Sequence, residues 1–267
     1  MGLSKLPAIA LALLLVACTA PAPRPTEEAT ARPEYTLERF RHEDKLGDGV
    51  DTLVVDNPYG EIQVRQTSAA ALAWQGVEQR IGTSPRVARI EPFRDGTRQG
   101  VRVRYAEHDA EQPANPRLGR VDIYVYVPTR YMVDLRTDFG SITARRIDND
   151  LRARTRSGMI VAATRGAVDA RSVSGEIRAW TMQGAGATPT RLHTAGNVVA
   201  DIPLFDDVSV EVRSARPIRT DFPLHSNALL ASGEHVATWR NGSGTHSMHI
   251  ESTAGEVTLQ ALRKPVP

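Results

Sequence analysis

A short phrase recurs along this chain, and it restricts the fold more than any other feature does. It runs small polar residue, glycine, any residue, Ile or Val, any residue, then a small or aliphatic residue. It reads Phe139-Gly140-Ser141-Ile142-Thr143-Ala144, then Ser157-Gly158-Met159-Ile160-Val161-Ala162. It returns as Ser174-Gly175-Glu176-Ile177-Arg178-Ala179 and Ala195-Gly196-Asn197-Val198-Val199-Ala200. These glycines stand 18, 17 and 21 residues apart. Two outliers, Tyr59-Gly60-Glu61-Ile62-Gln63-Val64 and Ala254-Gly255-Glu256-Val257-Thr258-Leu259, fall outside that spacing. A regular short repeat points to units that bury a continuous core only by stacking.

Weaker phrases lie between these: Leu151-Arg152-Ala153-Arg154, Val168-Asp169-Ala170-Arg171 and Val208-Ser209-Val210-Glu211-Val212. All alternate apolar and polar residues, the period of a strand with one buried face. Two such strands per coil of about 17–21 residues predict an all-β chain whose repeat region is a β-solenoid. Ile142, Ile160, Ile177 and Val198 would stack in one column, and Ala144, Ala162, Ala179 and Ala200 in the next, giving a thin cross-section. Each glycine is expected to supply a turn with positive φ. An antiparallel sandwich of evenly spaced hairpins has similar patterning and is the competing architecture. Recurrence of one phrase, beyond mere alternation, favours stacking of like on like.

Residues 35–130 read as a β-rich lead-in without the tight repeat, and 131–262 as the solenoid. The clearest lead-in strands are Leu53–Val55, Ile62–Val64, Val101–Tyr105 and Val121–Val127, with Arg94-Asp95-Gly96 as a turn and His108 to Gly119 as a polar loop. Ala69 to Gln79 is the best helix candidate, but Gly76 interrupts it, so strand plus loop is the alternative. Val127-Pro128, Asp138-Phe139-Gly140-Ser141-Ile142, the serial Ser-Gly-x-Ile turns, Asp221-Phe222-Pro223-Leu224 and the closing Ser252-to-Leu259 phrase resemble the bacterial "putative adhesin" family of β-solenoid domains. The resemblance spans roughly residues 50–262. It implies surface interaction and brings no catalytic residues; the long connection Thr181 to Pro189 departs from it.

At the N-terminus, Met1 to Lys5 form a short basic lead and Leu6 to Ala17 an apolar run that closes on Leu15-Val16-Ala17-Cys18. Those 12 residues would span about 18 Å as a helix, against a hydrocarbon core of about 30 Å. The segment resembles a lipoprotein signal peptide (1–17), with Cys18 as the lipidated residue; an ordinary cleaved secretion signal is the alternative. Residues 18–34, rich in Pro, Ala, Thr and Glu, read as a tether reaching about 40 Å in the polyproline form. Thr19, where an aspartate would signal retention, resembles the outer-membrane pattern of Gram-negative bacteria. Membrane attachment through that lipid and a cell-envelope location follow as expectations.

Cys18 is the only cysteine, so a lipidated chain has no thiol left for a disulfide, metal site or nucleophile. A formal net charge of +2 gives no general electrostatic case for nucleic acid. No cofactor motif is present. Asp206-Asp207 is the only adjacent aspartate pair, but neighbours along a strand point to opposite faces, and the pair reads as a turn. His225, His235, His246 and His249 gather near the C-terminus without metal-ligand spacing. Asn241-Gly242-Ser243 matches a glycosylation acceptor, irrelevant in a bacterium. Gly242-Ser243-Gly244 lacks the lysine of a phosphate loop. Arg152, Arg154 and Arg156 alternate with Leu151, Ala153 and Thr155 and so share an outer face, which Arg171 and Arg178 would extend. That patch suits acidic sugars, lipid headgroups or a partner's carboxylates; a merely solvated face is the plainer reading. The expectation is a non-catalytic, adhesin-like display surface for an envelope polysaccharide or envelope protein. A carbohydrate-active enzyme on the same scaffold and an envelope-stress or signalling accessory are the alternatives.

Overall fold

Alternating residues become strand throughout the computed structural model, which describes residues 35–82, 88–105, 119–181, 188–204 and 207–262. The signal, Cys18, the tether and most of the loop from His108 lie outside these residues. The first strands are β1 (Tyr35–Asp44), β2 (Thr52–Asp56), β3 (Ile62–Thr67), β4 (Leu72–Ile81), β5 (Ala88–Asp95), β6 (Arg98–Tyr105) and β7 (Arg120–Pro128). There follow β8 (Met132–Phe139), β9 (Ile142–Ile147), β10 (Leu151–Ser157), β11 (Ile160–Thr164), β12 (Val168–Ser172), β13 (Ile177–Thr181), β14 (Thr190–Thr194) and β15 (Val198–Pro203). The last are β16 (Val208–Ser214), β17 (Arg219–Thr220), β18 (Ser226–Leu229), β19 (His235–Arg240), β20 (His246–Ser252) and β21 (Val257–Leu262). The described residues contain no helix. The helix candidate is β4, because Leu72, Trp74 and Glu78 alternate inward at strand period.

The strands form two large mixed sheets. One runs β1-β4-β7-β3-β9-β11-β13-β15-β21-β17 and the other β18-β19-β16-β20-β14-β12-β10-β8-β2-β6-β5. From β8 to β15 the chain alternates between them, and each strand pairs in parallel with the strand two along. Consecutive strands here are therefore not hairpins. Ile142, Ile160, Ile177 and Val198 stand side by side in register, as do Ala144, Ala162, Ala179 and Ala200. All eight are buried. Each large aliphatic residue in the column contributes about 1.5–3 kcal/mol by leaving water.

The two outlying phrases belong to the same column. Ile62 pairs with Ile142 on one side and Ile123 on the other, and Val257 pairs with Val198. A strand of the second sheet and the strand of the first sheet that follows it form one rung. The rung β2–β3 abuts β8–β9, with β6–β7 beyond it, although β6 and β7 come between them in the chain. At the other end β20–β21 fills the slot between β14–β15 and β16–β17. Both sheets continue across residue 130 without a break. Antiparallel strands finish the ends: β4 on β7, β1 on β4, β5 on β6, β19 on β16 and β18 on β19.

The repeated glycines serve close approach more than handedness. Only Gly60 and Gly158 of the series have positive φ, at 124° and 125°. A Cβ at Gly140 would lie 1.9 Å from the carbonyl oxygen of Gly60, and one at Gly175 1.7 Å from that of Gly158. Successive turns thus touch backbone to backbone, which no side chain permits. Beside them runs a buried column of hydroxyls, Thr137, Thr155, Ser172, Thr194, Ser252 and Ser214, paired strand to strand. Thr194 donates to the Gly175 carbonyl at 2.6 Å and accepts the Gly196 N–H at 2.9 Å. Ser252 does the same for Gly196 at 2.7 Å and Gly255 at 3.0 Å. The turn carbonyls are thus satisfied by the rung next door and the glycine N–H groups by a hydroxyl of their own rung.

Candidate functional site

The outer face of the second sheet carries the predicted arginines. Arg154 stands between Arg136 on β8 and Arg171 on β12, and Arg152 between Asp134 and Asp169. Asp169 sits among three guanidinium groups, 3.0 Å from Arg171, 3.5 Å from Arg152 and 3.7 Å from Arg154. Asp134, with only 1% of its side chain exposed, lies 2.8 Å from Arg98 and 2.7 Å from Arg136. Its hydrogen bond is the main reason the Arg136 proton is held more firmly than usual. Arg156 lies exposed farther along β10. The result is a ladder of crossed charges in which arginines outnumber carboxylates. The partly exposed pairs of Asp169 stabilise by about 0–1 kcal/mol each, whereas Asp134 is a buried carboxylate.

Arg178 does not join this patch. It stands on β13 in the other sheet, between Val161 and Val199, and its guanidinium pairs with Glu176. The reason is the alternation itself: β12 and β13 follow each other in sequence but belong to opposite sheets.

The histidines disperse. His249 pairs with Glu211 at 3.2 Å on the second sheet, beside a similar pair, His193 with Glu251 at 3.1 Å. His225 accepts the Arg240 N–H at 3.0 Å, while His235 and His246 begin β19 and β20. Among the described residues no three His, Cys, Asp or Glu side chains converge as metal ligands would. Asp206 lies outside the described residues. Asp207 organises a turn: its carboxylate accepts Ser243 Oγ–H, the Gly244 N–H, and Thr245 Oγ1–H at 2.8 Å. The Ser243 bond first, then that from Thr245, hold this carboxyl well below the usual carboxylate range. Such an acid stays ionised and is no proton donor.

Two hollows remain. At the β1–β5 end a cleft of about 720 Å³ is lined by Phe40, Trp74, Ile90 and Tyr105, with Glu78 at its edge. Burial raises the Glu78 pKa against the opposing pull of Arg80. Tyr105 closes the wall, donating to the Tyr59 carbonyl at 2.7 Å and accepting the Val121 N–H at 3.0 Å. On the outer face of the first sheet, a groove of about 760 Å³ runs past Arg145, Ala163, Trp180, Arg178, Asp201 and Gln260. Trp180 is 41% exposed there, and Tyr124 and Tyr126 are exposed on the same face. Sequence reasoning passed over this row. The third residue after each column isoleucine or valine points outward, and reading that offset finds Arg65, Arg145, Trp180 and Asp201.

No family model matches the chain, and no curated protein matches it. Among the solved structures similar to it are the following three. A "putative cell adhesion protein" from Clostridium sporogenes has 7% identity and a TM-score of 0.46, over 84% of this chain and 100% of that one. A "putative adhesin" from Bacteroides fragilis has 9% identity and a TM-score of 0.29, over 83% and 97%. Another from Parabacteroides distasonis has 8% identity and a TM-score of 0.22, over 84% and 97%. At such identities they assign no role to any residue of this chain.

Proposed function

We propose that residues 35–262 form a β-solenoid and that the protein is a non-catalytic, adhesin-like display scaffold for acidic envelope polysaccharide. In this reading it is held at the outer membrane of a Gram-negative bacterium by a lipid on Cys18 and the tether that follows. The observation that carries the reading is the in-register ladder of Arg136, Arg154 and Arg171 on parallel strands. Parallel pairing spaces the backbones that carry these guanidinium groups about 4.8 Å apart from strand to strand. A row of that kind suits a polymer with carboxylates along its length, since guanidinium matches carboxylate in shape and charge.

The test is retention of the full chain on immobilised polygalacturonate over a salt gradient, with the soluble polymer analysed for shortening in parallel. Retention that weakens with salt, and further in Arg154→Ala/Arg171→Ala, supports the reading; absence of retention overturns it. One observation favours a second reading, cleavage. Burial, and then the neighbouring Asp221, raise the Asp201 pKa, and Asp201 lines the groove of the first sheet. Shortened polymer with the wild type but not with Asp201→Asn would replace display by catalysis. The anchor is tested by incorporation of a fatty-acid analogue, expected in the wild type and lost in Cys18→Ser.

A further inference from the structure

The groove on the first sheet exists because one residue in a row of long side chains is small. Reading across the strands, the row is Tyr126, Arg65, Arg145, Ala163, Trp180, Asp201 and Gln260. Five of these seven, Tyr126, Arg65, Arg145, Trp180 and Gln260, are long and exposed, Asp201 is short and half-buried, and Ala163 is the smallest. Ala163 leaves a gap between Arg145 and Trp180 that spans two strand spacings, about 9–10 Å between backbones. The adjacent row places Val161 and Val199 either side of Arg178, and the two valines give the groove apolar lining. Among the described residues, Trp180 therefore lines the hollow beside an alanine on one side.

The backbone beside the gap is also irregular. Pairing between β9 and β11 shifts register between Ala163 and Thr164, which face Arg145 and Ile147. The extra residue is Arg146, whose φ is 57°, a left-handed conformation that a residue other than glycine adopts at a cost. The bulge leaves both Arg145 and Arg146 exposed. Arg165 also lines the groove but is engaged with Asp148 at 3.5 Å, and Arg178 with Glu176. Arg145 and Arg146 have no carboxylate within ion-pair distance among the described residues, so the rim beside the indole keeps positive charge.

An exposed indole that shares its groove with Val161, Ala163 and Val199, next to uncompensated guanidinium groups, is a chemically specific combination. The ring offers a flat apolar face to the C–H face of a sugar, and the arginines offer forked donors to a carboxylate. The geometry points to the Arg145–Ala163–Trp180 gap as a subsite for a single uronic-acid ring of an acidic polysaccharide. This deepens the display reading and rests on it, but it places recognition on the sheet opposite the Arg152–Arg171 ladder.

The experiment is calorimetric titration of the full chain with trigalacturonate and with galactotriose, its neutral counterpart. The wild type is expected to prefer the acidic trisaccharide. Trp180→Ala is expected to weaken its binding about tenfold, equivalent to about 1.4 kcal/mol, and Trp180→Phe to restore most of that. Ala163→Gln, which fills the gap, should weaken binding comparably, and Arg145→Ala should lower the preference for acid over neutral sugar. Far-ultraviolet circular dichroism checks that each variant keeps its strands. Equal binding of the two trisaccharides overturns the assignment. So does unchanged affinity in both Trp180→Ala and Ala163→Gln. If binding instead falls only in Arg154→Ala/Arg171→Ala, the display reading stands and the subsite falls. If no acidic saccharide binds the wild type, both fall.

Discussion

Gly175 approaches Gly158 so closely that a methyl group on its Cα would lie 1.7 Å from the Gly158 carbonyl oxygen. The obstacle is backbone, already held in the stack, and cannot swing aside as a side chain could. Gly175→Ala is therefore expected to cost at least the upper part of the about 1–3 kcal/mol typical of overpacking. Gly233, with φ of 83° and nothing within 4 Å of its would-be Cβ, is the comparison. Gly233→Ala should cost about 1–2 kcal/mol, the penalty of a left-handed residue. Chemical denaturation of both variants checks the order.

The hydroxyl column makes a separate prediction. Thr194→Val keeps the shape of the side chain but removes its bonds to Gly175 and Gly196. Leaving those buried groups unpaired is expected to cost about 1–3 kcal/mol. Denaturant midpoints for Thr194→Val and Thr194→Ser separate the lost hydroxyl from the lost methyl; the serine variant should lie nearer the wild type.

Asp134 is charged, buried and answered by Arg98 and Arg136. Replacing both arginines by alanine strands the carboxylate, with a cost at the low end of about 3–5 kcal/mol because both guanidinium groups are partly exposed. Adding Asp134→Leu to that double variant should recover much of the loss. Melting temperatures of the three proteins test this.

Two carboxyl groups give opposite dependence on pH. The Asp207 pKa is depressed in the fold, so its contribution is present above the unfolded carboxyl value and is lost as pH falls through the lower folded value. Amide exchange at Gly244 and Thr245 should stay slow below the ordinary carboxylate range and become fast in Asp207→Asn at neutral pH. The Asp201 pKa is raised, so ionising it works against the fold as pH rises past the unfolded value. Asp201→Asn should accordingly raise the melting temperature at pH 7 and leave it nearly unchanged well below the unfolded pKa.

Asp169 restrains the arginine ladder. Asp169→Asn should alter stability by under about 1 kcal/mol, while the three guanidinium groups it now holds become available to a polyanion. The salt concentration needed to elute the protein from polygalacturonate is expected to rise.

The columns Ile142–Val198 and Ala144–Ala200 could be read from sequence because each rung repeats the phrase that packs it. The phrases at Gly60 and Gly255 stood apart in spacing because the chain leaves the stack and returns, and such an excursion leaves no mark in local periodicity. The positive φ assigned to every glycine was a local inference. Contact with the glycine of the next rung, which governs most of them, is visible only once the turns are stacked. Arg178 follows Arg171 by one strand in sequence, and nothing local to either residue reveals that alternate strands go to opposite sheets. Asp207 was weighed beside Asp206, whereas its partners Ser243 and Thr245 lie more than thirty residues on. The groove has no local sequence signature, because it is made by an absence of bulk at Ala163, conspicuous only among its cross-strand neighbours.

The slot taken by β20–β21 bears on how the protein can assemble. The strands on either side of it, β14–β15 and β16–β17, both precede it in the chain. Zipping up in sequence order would therefore seal the ladder one layer short and shut the missing layer out. The layer beside Val198 can therefore be completed only once Val257, in the last strand of the chain, is in place.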